Sequence, residues 1–391
     1  MKRTFDIAVV GAGPVGAAAA VGLAGLGCSV ALVDAAEAVP VPTSDDEYDL
    51  RVFAVSPASQ RLLARLGAWE RIAGTRVSPY RRMEVNDGIG ELVFDAADVA
   101  EPELGHIIEN RLIQGALHER AGRMEQLHWF APDTVEQLEL GEEINTIRLS
   151  QSGRLRARLV LAADGARSRL REMAGLDVVA VDHQQSGVVG HVHTEQPHGE
   201  TARQRFLENG PLAFLPLIDG RSSIVWSTTP EHAESLLADT PEAVGEALTE
   251  ASGRWLGRVT PDTRLVAFPL VSRYAPQYIT QRFALLGDAA HTIHPLAGLG
   301  MNMGLKDVNE LLEQVASARA RGHDPGERLY LRRYERARKP DNRLMLHLLD
   351  GFNRLFRLRQ PGVDQIRGLG MHLFDASGPL KREVIRRAMW G

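Results

Sequence analysis

Three glycines near the amino terminus, Gly11, Gly13 and Gly16, have the spacing Gly-x-Gly-x-x-Gly, and an acidic residue, Asp34, follows them. In dinucleotide-binding proteins the first glycine of this pattern allows a tight turn, and the second lets a pyrophosphate approach the backbone. The third lets a helix pack closely on a strand, and an acid about 20 residues further on accepts hydrogen bonds from ribose hydroxyls. The spacing therefore predicts that a dinucleotide binds here.

A βαβ unit must position these residues. Residues 5–10 predict a strand, residues 14–27 a helix and residues 29–34 a second strand. The helix would offer its free N–H groups and the positive end of its dipole to the phosphates. The uncharged run 7–33 is also long enough for a membrane span, and a signal peptide is a further alternative. Pro14 and six glycines in the run favour the buried βαβ unit.

Two further acidic residues each follow a predicted buried strand. Residues 158–163 precede Asp164-Gly165, and residues 283–286 precede Gly287-Asp288. Ligands bind at the carboxyl ends of the strands in open α/β sheets, so both acids are candidate cofactor contacts. A helix is predicted from Met303 to about residue 320.

The composition indicates a soluble globular chain with two or three cooperating modules, since the 391 residues are 44% hydrophobic and 24% charged. Cys28, the single cysteine, excludes a disulfide framework and a multi-thiolate metal site, and it fits a reducing cytosol. The net charge of −5 argues against nucleic-acid binding. It hides a basic tail, because residues 327–391 hold 15 Lys/Arg against 7 Asp/Glu.

The three motifs, in this order and at these separations, resemble those of the single-component FAD-dependent aromatic hydroxylases. Within that group the chain looks most like the ubiquinone-biosynthesis hydroxylases, over nearly its whole length. The stretches that carry the finer similarity are 49–51, 56–67, 79–82, 109–111 and 287–307.

The resemblance implies an α/β fold: a Rossmann-like FAD-binding domain of the para-hydroxybenzoate-hydroxylase (GR2) type, an inserted β-sheet substrate domain and a C-terminal helical segment. We expect a discontinuous FAD-binding domain at 1–77, 104–176 and 274–321, a substrate-binding domain at 78–103 and 177–273, and a helical region at 322–391. Strands at 187–193, 212–217 and 222–227 and a helix at 241–251 are predicted in the substrate domain, with 187–193 and 223–226 as the candidates for facing the substrate.

The resemblance also implies the FAD contacts. Gly11, Gly13 and Gly16 would hold the pyrophosphate and Asp34 the adenosine ribose, where the family more often has Glu. Asp288, after Gly287, would bind the ribityl chain, and Asp164 is a further expected contact. Arg51 and Arg111 would lie beside the phosphate and ribityl oxygens, with ordinary surface ion pairs as the alternative.

A loop near the isoalloxazine is implied as well, with Pro295 before it and the contacts Gly298, Leu299, Gly300, Met301 and Asn302 along the ring edge. The helix from Met303 would point its N-terminus at the N1–C2 carbonyl and stabilise the anionic reduced flavin. Leu299 stands where the family normally has Gln. For Met301 and Met303, core packing is the favoured role.

The implied reaction is hydroxylation of the aromatic ring of a polyprenylated phenol or quinol in ubiquinone biosynthesis. NAD(P)H would reduce FAD, O₂ would add at flavin C4a, and the hydroperoxide would transfer its distal oxygen. Because the cofactor carries the chemistry, no catalytic side chain is expected. The segment 79–82 and the tail favour C6 as the ring position, and C5 and C1 remain open. The alternatives are a non-oxygenating flavoprotein oxidoreductase of the same fold and an FAD-bound scaffold subunit of the biosynthetic complex.

No metal site is expected, because the pairs His191/His193 and His291/His294 lack cysteine companions or a well-placed carboxylate partner. No Gly-x-Ser-x-Gly hydrolase motif is present either. The tail predicts an amphipathic helix at 341–358 whose apolar face must be covered. It would pack on the FAD domain or on a second copy, or else contact a membrane surface or partner proteins of the ubiquinone-biosynthesis complex. We expect a cytoplasmic protein, with peripheral contact at the inner membrane as an open alternative.

Overall fold

The computed structural model describes residues 4–43, 45–294, 298–357 and 362–390. In chain order the strands are β1 (Thr4–Val10), β2 (Val30–Val33), β3 (Val52–Val55), β4 (Ser78–Tyr80), β5 (Arg82–Asn86), β6 (Glu91–Asp95), β7 (Gly105–Glu109), β8 (Leu127–Phe130), β9 (Val135–Glu139), β10 (Asn145–Leu149), β11 (Gly153–Ala162), β12 (Val179–Thr194), β13 (Thr201–Leu207), β14 (Gly210–Pro216), β15 (Ser222–Thr228), β16 (Val259–Pro261), β17 (Val266–Tyr274), β18 (Ile279–Thr280), β19 (Phe283–Leu285) and β20 (His291–Thr292). The helices are α1 (Pro14–Gly25), α2 (Pro57–Arg65), α3 (Trp69–Ala73), α4 (Asn110–Gly122), α5 (Arg169–Met173), α6 (Pro230–Ala238), α7 (Pro241–Ala251), α8 (Gly300–Ala320), α9 (Arg328–Arg357), α10 (Val363–Asp375) and α11 (Pro379–Trp390).

The first sheet contains the predicted βαβ unit. Its order is β18-β19-β11-β1-β2-β8, with β10 and β9 continuing from β11. Strands β2 and β11 run parallel to β1, and β19 runs parallel to β11. Their carboxyl ends therefore lie at one edge of the sheet, where all three sequence motifs begin.

Strand β11 is longer than the predicted strand 158–163. Its first half pairs antiparallel with β10, and buried and exposed residues alternate there, as Leu155 and Ala157 point inward. The second half is buried on both faces, which is the part that its apolar run predicted.

Helix α1 packs between the first sheet and helices α4 and α8. Its small residues allow this close approach: a Cβ added at Gly22 would come within 2.5 Å of Leu312 Cδ1. Across the described residues, no helix is both long enough and apolar enough to cross a membrane.

The second sheet has the order β20-β17-β12-β15-β14-β13-β5-β6, and β16 pairs with β12. One face packs against α6 and α7 through a core that includes Val188, Leu212, Trp226, Leu236 and Leu248. A small sheet, β3-β7-β4, accompanies it. Strand β4 therefore pairs in the small sheet, whereas β5 and β6 join the second one. The division of the chain into the predicted domains stays a prediction, while the α/β fold class is confirmed.

Two helices begin earlier than the sequence predicted. The helix expected from Met303 starts at Gly300, because the side chain of Asn302 bonds to neighbouring backbone and fixes the first turn. The tail helix expected at 341–358 is α9, which starts at Arg328 and runs through Pro340. Tyr330 and Tyr334 are buried in this added part, and the Tyr334 hydroxyl donates to the Leu285 carbonyl of β19, which ties the helix to the first sheet.

Only part of the apolar face of α9 is covered. Leu349 and Phe356 are buried, and the Phe356 ring stacks on Phe206 with the centroids 3.9 Å apart. Leu344 and Phe352 keep 60% and 49% of their surface exposed. This chain therefore covers one part of the face, and what covers the rest (a second copy, a membrane surface or partner proteins) stays a prediction.

Candidate cofactor-binding site

The three glycines of the first motif have different surroundings. Gly11 follows β1 with φ +100°, and a Cβ added there would lie 2.3 Å from the Ala163 carbonyl oxygen. A Cβ at Gly16 would lie 1.9 Å from the Gly11 carbonyl oxygen. At Gly13 a Cβ would meet no protein atom within 4 Å. Gly11 and Gly16 are thus required by packing, while Gly13 leaves open space at the N-terminus of α1.

Asp34 closes β2 and points at the same turn. Its carboxylate accepts from the Ala12 N–H at 2.5 Å and from the Ala36 N–H at 2.8 Å. The turn is also held from α4, because His118 Nε2 lies 2.6 Å from the Ala12 carbonyl oxygen. Asp34 therefore braces the glycine turn, and its contact with a ribose stays a prediction.

His118 is a part of this site that the sequence reasoning missed. Its Nδ1 accepts from the Val39 N–H at 2.9 Å, so Nε2 carries the proton and donates to the Ala12 carbonyl. Burial lowers the pKa of His118 and favours this neutral form. No local motif marks the residue, because its contacts lie about 80 to 100 positions away along the chain.

The second motif follows β11 beside the first. Asp164 Oδ2 accepts from the Leu170 N–H at 3.1 Å, while Oδ1 is buried and has no partner among the described residues. The buried Arg171 donates to the Ala289 carbonyl at 2.8 Å and so connects the second motif to the third. The sequence reasoning did not identify Arg171, whose contact lies 118 positions away along the chain.

The third motif follows β19. Gly287 has φ +55°, and a Cβ there would press on Val15 of α1 at 3.1 Å. Asp288 follows Gly287 at the carboxyl end of β19, and its side chain is exposed to solvent. Desolvation by the surrounding protein raises the pKa of Asp288, and the nearby His291 and Arg51 oppose this rise.

Arg51 and Arg111 are organised by one acid, because Asp49 accepts from the Arg51 N–H at 3.0 Å and from the Arg111 N–H at 3.1 Å. The Arg111 guanidinium donates to the Glu47 carbonyl, and its Nε is buried without a partner among the described residues. Over the part of the chain that the structure covers, neither guanidinium forms an ion pair. The alternative that both serve ordinary surface ion pairs is therefore not supported.

The loop before α8 lies against β3. A Cβ at Gly298, which has φ +61°, would be 3.5 Å from the Ala54 nitrogen. Asn302 is buried; its Oδ1 accepts from the Ser56 N–H at 2.9 Å and from Ser59 Oγ at 2.8 Å, and its Nδ2 donates to the Ala54 carbonyl at 2.7 Å. Met301 is buried beside it.

Leu299 sits at the start of α8 and packs on an apolar cluster shared with the tail helices, whose members include Val85, Phe206, Ile293, Leu349, Phe356 and Met371. The leucine therefore has an apolar environment. Gly300 is the first helical residue, and Pro295 lies outside the described residues.

These features fit FAD. The site combines open space beside the Gly13 backbone, buried polar atoms of Asp164 and Arg111 that have no partner among the described residues, and the solvent-exposed carboxylate of Asp288. The described residues contain no group of three or more metal-ligating side chains. The expectation that the histidine pairs lack a carboxylate partner is wrong, since His193 pairs with Asp262 at 3.1 Å and His291 with Asp307 at 2.5 Å.

Comparison with known proteins also indicates an FAD-binding protein. Residues 4–347 match the model of a family described as FAD binding domain. The chain is 37% identical over 389 residues to the 3-demethoxyubiquinol 3-hydroxylase of Escherichia coli, covering 99% of both chains. It is 31% identical to the human ubiquinone biosynthesis monooxygenase COQ6, covering 97% of this chain and 92% of that protein.

Among solved structures, the p-nitrophenol 4-monooxygenase PnpA from Pseudomonas putida superposes with a TM-score of 0.79 at 21% identity. The match covers 100% of this chain and 99% of that one. At this identity the likeness shows the fold.

Proposed function

The chain belongs to the FAD-binding domain family, where it lies among the ubiquinone-biosynthesis hydroxylases, and we propose that it hydroxylates the aromatic ring of a polyprenylated phenol or quinol. It uses FAD, with NAD(P)H as the transient reductant and O₂ as the co-substrate. C6 is the favoured ring position, and C5 and C1 are the alternatives that product analysis would distinguish.

The observation that carries this proposal is the meeting of three backbone turns at one sheet edge. The turns at Gly11, Asp164 and Gly287 follow the parallel strands β1, β11 and β19. Open α/β sheets bind their cofactors at such an edge. Helix α8 begins beside the third turn, which brings a helix N-terminus to the same place.

We propose that this chain's residues divide the binding of FAD between them. Gly13 and the first turn of α1 bind the pyrophosphate, Asp34 the adenosine ribose, and Asp288 the ribityl chain. Arg51 and Arg111 neutralise phosphate charge, and Asp164 is a further contact. The loop of Gly298 and Gly300, continued by Leu299, Met301 and Asn302, would border the ring system.

When bound, FAD supplies the redox chemistry with NAD(P)H and O₂. The protein's part is to orient the substrate, exclude water and hold charge. Leu299 packs on the buried cluster that contains Phe206 and Phe356, so the surroundings of the loop of Gly298 are apolar, and we propose that a polyprenylated substrate binds on this side.

The direct test is reconstitution with FAD followed by NADPH oxidation with a short-chain phenol analogue. We expect a yellow protein whose NADPH oxidation rises with the analogue and whose product carries oxygen-18 from labelled O₂. A colourless protein that cannot be reconstituted would contradict FAD binding. A product without the label would favour a non-oxygenating oxidoreductase of the same fold.

A scaffold function is the second alternative, and Leu299→Gln tests it. Because the leucine packs in an apolar cluster, an amide there would be partly buried among carbon atoms, and we expect turnover that is unchanged or lower by up to about tenfold. The measurement is substrate-stimulated NADPH oxidation of both proteins. Activity that occurs only in the Leu299→Gln variant would instead favour the scaffold.

The partners and the location of the protein are also proposals. We propose that the protein acts in the cytoplasm, either within a ubiquinone-biosynthesis complex or as a homo-oligomer. We also propose that its C-terminal region contacts the inner membrane. The support is a stripe on α9, formed by exposed Leu344, Leu348, Phe352 and Leu355, which runs beside the exposed Arg343, His347 and Arg354. Apolar and basic side chains next to each other are typical of a helix at an anionic lipid surface.

Sedimentation with phosphatidylglycerol vesicles tests this contact. We expect the double variant Leu348→Gln/Phe352→Gln to bind the vesicles about tenfold more weakly or worse, since two apolar side chains no longer enter the lipid. Ile218→Gln/Leu237→Gln removes exposed apolar side chains elsewhere and serves as the control. Equal binding by the unchanged protein and both variants, or binding that is insensitive to salt, would contradict the membrane contact. The stripe would then be a surface for contacts with protein.

A further inference from the structure

Asp307, in the second turn of α8, is fully buried, and its two carboxylate oxygens accept hydrogen bonds from different parts of the chain. Its Oδ2 accepts from the Gly287 N–H at 3.2 Å and lies 2.5 Å from His291 Nε2. Its Oδ1 accepts from Arg338 Nε at 2.9 Å and from Asn342 Nδ2 at 3.0 Å. One oxygen therefore holds the turn of the third motif, and the other holds α9.

The charge of this carboxylate is balanced from α9. A buried ion needs a partner and saturated hydrogen bonds, and Arg338 is itself buried and also donates to Asn342 Oδ1 at 2.7 Å. Burial alone would raise the pKa of Asp307, but His291 and then Arg338 and Asn342 outweigh it and hold the pKa below its ordinary value. The residue therefore stays ionised.

Further contacts attach the same strand and turn to α9. Tyr334 donates its hydroxyl proton to the Leu285 carbonyl at 2.8 Å, at the end of β19. Glu335 accepts from the Tyr278 N–H at 2.9 Å, and the Tyr278 hydroxyl lies 3.4 Å from Asn342 Nδ2. Helix α9 thus supports the segment that leads into Asp288.

We propose that Asp307 is a positioning residue for the FAD-binding turn at Gly287 and Asp288, and that Arg338 makes α9 a part of the cofactor site. Asp307 fixes the direction of the Gly287 peptide, which sets where the next carboxylate points. Asp307 itself touches no cofactor. The inference rests on the proposed binding of FAD.

Asp307→Asn tests this with a nearly isosteric change. An amide has only one acceptor oxygen, so either the Gly287 and His291 contacts or the Arg338 contact is lost. We expect FAD to bind about 10- to 100-fold more weakly, the fold-change that follows from losing a charge-assisted hydrogen bond. At saturating FAD we also expect a shifted visible spectrum and reduction potential of the flavin.

Asp324→Asn is the matched control. Asp324 follows α8 and pairs at 2.9 Å with Arg282, which precedes the other end of β19. Its loss should lower the melting temperature without changing the affinity for FAD, the spectrum or the potential. Arg338→Lys should keep more FAD affinity than Arg338→Met, because a lysine ammonium can still balance Asp307.

The outcomes separate this inference from the proposed function. If Asp307→Asn and Asp324→Asn change only the melting temperature, Asp307 has a purely structural role and the inference is wrong. If Asp307→Asn binds FAD as the unchanged protein does, the inference is wrong while the function stands. If the unchanged protein binds no FAD, the function fails first, and with it the premise of the inference.

Discussion

Gly13→Val is expected to yield a folded protein that has lost its cofactor. The backbone at Gly13 has φ −61° and ψ 173°, which any residue adopts, and no protein atom lies within 4 Å of an added Cβ. The valine side chain would occupy the space over the N-terminus of α1, where the pyrophosphate is proposed to bind. Displacing it should lower FAD affinity by about 100-fold or more, equivalent to two lost charge-assisted hydrogen bonds.

The measurement has two parts, the dissociation constant of FAD and the melting temperature of the protein without FAD. For Gly13→Val the first should change greatly and the second little. Gly25→Val, in the same helix and also with open space, should leave FAD binding unchanged.

Gly16→Ala should instead lower the melting temperature of the protein without FAD, because its Cβ would overlap the Gly11 carbonyl and disturb the fold itself. Gly13→Val protein that stays yellow with unchanged affinity would place the pyrophosphate elsewhere.

The parts of the site that could be predicted from the sequence are those that depend on neighbouring residues. The motif predicted the turn at Gly11 and the close packing at Gly16, since both depend on residues near in sequence, while the pyrophosphate contact of Gly13 stays a prediction. It could predict that the three motifs meet, because each follows a strand that reads as buried and parallel. The fold class and the order of these elements are therefore largely local information.

The contacts between motifs could not be predicted in the same way. Arg171 bonds to Ala289 and His118 to Ala12, across separations of 118 and 106 positions that no local pattern encodes. The start of α8 was misplaced because glycine at 300 disfavours helix locally, while tertiary bonds of Asn302 override that preference. For the tail, periodicity predicted an amphipathic helix but not which of its leucines would stay exposed.

Asn302→Ala is expected to have the second large effect. The change removes three hydrogen bonds and leaves the Ser56 N–H and the Ala54 carbonyl without this partner. One buried and one partly buried group without a partner correspond to about 2–4 kcal/mol of lost stability. The start of α8 would also be freed from β3, so the loop of Gly298, proposed to border the flavin, would lose its position.

The consequence for turnover should be uncoupling. A displaced loop admits water, so more of the NADPH consumed should yield hydrogen peroxide and less should yield hydroxylated product. Measuring both products per NADPH separates this from simple loss of folded protein, because the ratio does not depend on the amount that is active. Asn309→Ala, later in the same helix, is the control: Asn309 is half-buried and bonds to Arg65 and Glu313, with no bond to β3, so its loss should leave the ratio unchanged.

Asn302→Asp distinguishes a positioning role from a general loss of stability. The carboxylate can still accept from the Ser56 N–H and Ser59 Oγ, but it cannot donate to the Ala54 carbonyl. The loop should therefore stay nearer its place than in Asn302→Ala, with intermediate uncoupling. The added negative charge near the proposed flavin site should also make the bound flavin harder to reduce. Equal coupling in all of these variants would show that the loop position does not depend on Asn302.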